Sequence, residues 1–155
     1  MNNFHSRQRV SVLLTGLLLL ALPARANSPA AGSPGMSHGT THTITISYDA
    51  AANPQWSYSI SPANDPKKAR VKKHDTILWQ SNSGDWTVFF KGPTPVEDSA
   101  GGPLTRINGS NGGAAVGGVV AQKVKKGDVF TYGVSLTPPG ASSPVVDDPE
   151  IIIEE

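Results

Sequence analysis

From Thr43 to Tyr48 apolar and hydroxyl side chains alternate, with Ile44, Ile46 and Tyr48 on one side and Thr43, Thr45 and Ser47 on the other. A period of two places successive side chains on opposite faces of an extended chain, so this stretch predicts a half-buried β-strand. The same alternation returns in Gln55–Ile60 (Trp56, Tyr58, Ile60), in Thr76–Ser81 (Ile77 and Trp79 against Leu78), in Trp86–Phe90 (Trp86, Val88, Phe90) and in Val129–Leu136 (Phe130, Tyr132, Val134, Leu136). Shorter strands are expected at Ala69–Val71, Val119–Val124 and Glu150–Glu154. Turn chemistry separates them: Asp49–Pro54, Ser61–Pro66, Lys73-His74-Asp75, Lys126-Gly127-Asp128 and the Pro/Gly/Ser run Thr137–Pro144. Asn82-Ser83-Gly84-Asp85 has the composition of a hairpin turn. Gly92–Gly118, with several Gly-Gly and Asn-Gly steps, is expected to be a long loop. No segment between His42 and Glu155 sustains an apolar period of 3.6. The pattern predicts an all-β domain, an antiparallel Greek-key β-sandwich.

The N-terminus follows a different logic. His5, Arg7 and Arg9 precede an apolar run from Val10 to Leu22, and Ala24-Arg25-Ala26 places small residues where a signal peptidase reads them. The run is shorter than the roughly 20 apolar residues of a membrane span. Residues 1–26 therefore read as a signal peptide, 27–41 as a flexible Ser/Pro/Gly leader and 42–155 as the folded domain. The expected location is periplasmic or secreted, with no transmembrane segment once the signal is cut.

Cleavage changes the charge. Removing Arg7, Arg9 and Arg25 leaves ten basic against twelve acidic residues, a net charge of −2 with His neutral. That balance argues against a nucleic-acid partner, which favours a strongly basic domain. The basic stretch Lys67–Lys73 reads as a solvated sheet edge, where lysines discourage edge-to-edge pairing. There is no cysteine, so no disulfide staples the fold.

Three segments carry a family resemblance. Val71-Lys72-Lys73-His74-Asp75-Thr76-Ile77-Leu78-Trp79, Asp85-Trp86-Thr87-Val88-Phe89-Phe90 and Lys125-Lys126-Gly127-Asp128-Val129-Phe130-Thr131-Tyr132, the last followed by a loop and Asp148-Pro149-Glu150-Ile151-Ile152-Ile153, resemble strands of the cupredoxins, the plastocyanin and azurin superfamily. His74 stands where such domains usually carry Gly. The resemblance implies the sandwich fold over residues 42–155. It also implies where a copper site would lie, and there the chain departs from the family. A blue-copper centre takes two His, one Cys and a weak axial ligand. Trp86-Thr87 occupies the first His region, Gly133–Leu136 the Cys region, and Thr137–Pro144 holds neither His nor Met. The family's electron transfer is therefore not expected here.

Remaining chemistry is sparse. Met36, His38 and His42 form the one metal-like cluster, with donors suited to copper; the plainer reading is a polar leader in which two His occur by chance. His74 as a further ligand is the weaker extension of that idea. No Gly-x-Ser-x-Gly elbow is present, and His74-Asp75, Glu97-Asp98 and Asp147-Asp148 read as turn residues, so no catalytic residue is expected. Trp56, Trp79 and Trp86 could form a sugar platform, but each sits in an alternating strand and core packing is the simpler role. The expectation is a non-catalytic, cofactor-free exported monomer that binds a protein or cell-envelope component through loops Gly92–Gly118 and Thr137–Asp148. The alternative is a periplasmic copper-binding protein using Met36, His38 and His42.

Overall fold

The computed structural model describes residues 39–62, 65 and 67–155. The signal peptide, most of the leader, Met36 and His38 lie outside the described residues. The described part is all-β, with no helix and so none long and apolar enough to cross a membrane.

The described residues form eleven strands: β1 (Thr41–Tyr48), β2 (Trp56–Ser61), β3 (Lys68–Val71), β4 (Thr76–Ser81), β5 (Asp85–Phe90), β6 (Val96–Glu97), β7 (Arg106–Gly109), β8 (Val116–Val120), β9 (Val129–Thr137), β10 (Val145–Asp147) and β11 (Glu150–Ile153). They make two sheets, one ordered β2-β1-β4-β8-β6 and the other β3-β11-β9-β5-β7, with β10 also paired to β9. The sheets are mixed. β1 runs parallel to β4 and β3 parallel to β11, which corrects the purely antiparallel expectation. A parallel pair cannot be closed by a tight hairpin. Both parallel pairs join strands distant in sequence, and a residue-by-residue alternation carries no signal for that.

A second correction concerns Asn82–Asp85. These residues link β4 to β5, but the two strands lie in different sheets, so the turn crosses between sheets instead of closing a hairpin. The third concerns Gly92–Gly118, which is not one long loop but contains β6, β7 and the start of β8. Its glycines mislead because they serve close packing. A Cβ at Gly117 would lie 1.8 Å from the Ile77 carbonyl oxygen, so only glycine lets β8 approach β4 there.

Alternation translates directly into burial. The inward residues of both sheets form one core, in which Ile44, Ile46, Ile77, Trp79, Val88, Val134, Leu136 and Ile151 are completely buried. Tyr132 lies edge-on to Trp79 (5.8 Å between ring centroids) and tilted to Phe90 (5.9 Å), and burial pushes its hydroxyl well above the usual tyrosine range. The middle of the Lys67–Lys73 stretch forms β3, an edge strand with Lys68 and Arg70 exposed.

At one end of the domain Asp75 organises the chain. Its carboxylate is almost fully buried and accepts from the Thr40 backbone N–H (2.7 Å), the Lys72 backbone N–H (2.8 Å) and His42 Nε2 (3.0 Å). One side chain thereby ties the start of β1 to the turn between β3 and β4. His74, beside it, is exposed and takes φ +67°, the left-handed conformation that favours glycine.

Candidate functional site

The strand directions gather four connections at the end away from Asp75. β1 and β4 finish there, and β5 begins there; β7 and β9 run antiparallel to β5 and finish there too. The loops 49–55, 82–84, 110–115 and 138–144 therefore cluster. Asp85 joins two of them: its Oδ1 accepts from the Asn111 backbone N–H at 2.9 Å, and Gly112 N–H donates to the Ser81 carbonyl at 2.8 Å. A depression of about 340 Å³ lies between Asp85, Asn111 and the Thr137–Ala141 turn. Part of each sequence-predicted interaction segment thus meets in one place, while Gly92–Thr105 runs through the opposite end and the β6 edge.

This loop end is where the family resemblance would put copper. The depression is lined by Gly84, Asp85, Asn111, Thr137, Pro138, Pro139, Gly140 and Ala141, without imidazole, thiolate or thioether. A single carboxylate with amide and hydroxyl neighbours does not match the N/S donor set of a type-1 centre.

The other sequence candidates are dispersed. His42 sits at the far end with its ring buried; a carboxylate only accepts, so Nε2 donates to Asp75 and the buried Nδ1 has no partner. His74 turns outward and takes no part in that pair. No group of three or more His, Cys, Asp or Glu able to hold a metal occurs among the described residues. The paired carboxylates are each in structural use. Asp98 Oδ1 accepts from Ala100 and Gly102 N–H (2.9 and 2.8 Å), Glu97 faces Lys123 at 3.1 Å, and Asp148 faces Lys91 at 2.7 Å.

Asp147 bonds two side chains. It accepts from the Tyr58 hydroxyl (2.9 Å) and Lys67 Nζ (3.0 Å). Burial alone would raise its carboxyl, but the bonds from Lys67 and Tyr58 outweigh that and hold it below the usual range. Burial and then the bond to Asp147 push the Tyr58 hydroxyl far upward. Lys67 also lies over the Tyr58 ring, 5.8 Å from its centroid.

Trp79 and Trp86 are buried, so neither offers a stacking surface. Trp56 is half-buried, edge-on to Tyr48 (5.1 Å) and stacked on Tyr58 (6.2 Å). Sequence reasoning missed a different feature, the outward face of β5, β7 and β9. An open groove of about 490 Å³ runs there past Asp85, Thr87, Asn108, Ser110, Ser135 and Thr137. The signal was present as the polar half of the alternation, but β7 was hidden in the Gly-rich stretch.

No protein-family model matches the chain, and no curated protein matches it significantly.

Proposed function

We propose that this chain is an exported, non-catalytic domain of cupredoxin-like Greek-key sandwich architecture that binds a cell-envelope component through its loop end. The observation that carries the reading is the meeting of loops 110–113 and 137–141 beside Asp85, an exposed surface with one formal charge and no nucleophile–base pair. Loops held at one end of a rigid β-scaffold are a common way to build a binding surface. The mixed sheets and the one shared core are compatible with the cupredoxin-like reading, as is the Lys-His-Asp-Thr turn entering β4.

Co-sedimentation of the mature protein with washed envelope fractions tests this. Wild type is expected in the pellet, and a variant carrying Asn111→Arg and Ala141→Arg in the supernatant. Equal sedimentation of the two would refute the assignment to the loop end. Copper titration separates this reading from the copper-binding alternative. No stoichiometric uptake of Cu(I) or Cu(II) is expected; uptake that disappears when His38 and His42 are both changed to Ala would favour the alternative.

A further inference from the structure

Three rows of side chains cross the outward face of β5 and its neighbours, each fixed by strand register. Asp85 pairs with Thr137, Thr87 lies between Asn108 and Ser135, and Phe89 lies between Arg106 and Gly133. With about 6.7 Å between same-face residues on a strand, the rows extend roughly 13 Å along β5. The first two rows line the open groove of about 490 Å³. Its polar side chains are short hydroxyls, one amide and one carboxylate, none of them cationic, and Trp86 and Gly109 complete the lining.

The third row supplies an aromatic surface. A Cβ built on Gly133 would fall 2.1, 2.5 and 2.6 Å from Cζ, Cε2 and Cε1 of Phe89. A point close to Cζ and nearly equidistant from both Cε atoms at that range lies above the ring plane, not beyond its rim. The Phe89 ring therefore lies flat across Gly133, with one face on the backbone and the other outward, and the residue is only half-buried. Gly133 is required for this, because any side chain there would lift the ring.

We propose that this face binds a neutral oligosaccharide, an inference that rests on the envelope-binding reading and names its ligand class. A sugar ring presents an apolar C–H face and a rim of hydroxyls. Phe89 offers a flat apolar counterpart to the first. Thr87, Asn108, Ser135 and Thr137 offer donors and acceptors to the second. Thr87 Oγ1 donates to Asn108 Oδ1 at 2.8 Å, which fixes the amide orientation and turns its NH₂ toward other acceptors. Asp85 can accept from a sugar hydroxyl through Oδ2 while Oδ1 holds Asn111 N–H. Asp85 in the first row and the exposed Arg106 in the third carry opposite charges, a balance across the face that favours a neutral ligand over a charged one. The face is open, and its three rows together are longer than one sugar ring, which suits an internal stretch of a chain.

Isothermal titration of the mature protein with cellohexaose, chitohexaose and xylohexaose tests the proposal. At least one should bind with a submillimolar Kd. Phe89→Ala should weaken it up to about tenfold, the scale of a lost aromatic contact, and Ser135→Arg, which fills the groove from an outward position, should abolish it. Urea midpoints near wild type show that each variant is folded. No binding of any of the three sugars, or binding unchanged in both variants, overturns the proposal. Envelope co-sedimentation that persists alongside such a failure would leave the parent reading standing.

Discussion

Replacing Asp75 with Ala tests how the start of β1 is tied to the turn between β3 and β4. Asp75 is 3% exposed, and its carboxylate accepts three hydrogen bonds of 2.7, 2.8 and 3.0 Å. A hydrogen bond to a charged group contributes about 1.5–3 kcal/mol, and a buried donor left without a partner costs about 1–3 kcal/mol. The three donors share one acceptor, so their losses do not add fully; a net destabilisation of about 3–5 kcal/mol follows. Domain stabilities run at about 5–15 kcal/mol, so Asp75→Ala should remain measurable but much weaker. Urea unfolding followed by tryptophan fluorescence gives the difference. His42→Phe keeps the ring volume and removes one of the three donors, so combining it with Asp75→Ala should cost less than the two singly. A loss below about 1 kcal/mol for Asp75→Ala, or strict additivity in that cycle, would refute the view of Asp75 as a shared anchor.

Other outcomes follow from the same structure. His74→Gly should raise stability by about 0.5–1 kcal/mol, because relief of the left-handed backbone outweighs the extra freedom glycine gives the unfolded chain; a lower melting temperature would contradict this. Asp147→Asn should destabilise the domain at neutral pH. The folded carboxyl is held below its usual value, so its contribution is complete above about pH 4 and disappears as pH falls through the folded value. The gap between wild type and Asp147→Asn should therefore narrow on acidification, which urea midpoints from pH 7 to 2 would show. Ile44→Ala, at a fully buried site, should cost about 2–5 kcal/mol by equilibrium unfolding. N-terminal sequencing of protein recovered from the export compartment should begin at Asn27; a start at Met1 would contradict the signal-peptide reading.

Much of the fold was legible because one physical rule, alternation, governs it. Ile44, Ile46, Trp79, Val88 and Leu136 were placed inward by period alone, and they are core. What escaped has an equally physical cause. β7 and β8 contain Gly109, Gly117 and Gly118, which read as loop in isolation. In the fold the ring of Trp86 fills the place of a Gly109 side chain, and Gly117 lets two backbones approach. The separation of β4 from β5 into different sheets depends on partners distant in sequence, which a four-residue turn does not encode. At the candidate site, the loop end was readable in part from Thr137–Ala141. The flat Phe89 ring was not, because it depends on a glycine forty-four positions away that only the β5–β9 register brings beneath it.

The central claim is that ligand capture takes place at the loop end and along the adjoining outward face of β5, β7 and β9. Hydrogen-exchange mapping of the mature protein on washed envelope fractions tests it directly. Protection is predicted at 85–89, 106–113 and 133–141, with the 72–75, 98–102 and 125–128 turns unchanged. Protection confined to those opposite-end turns, or none anywhere, would contradict the account.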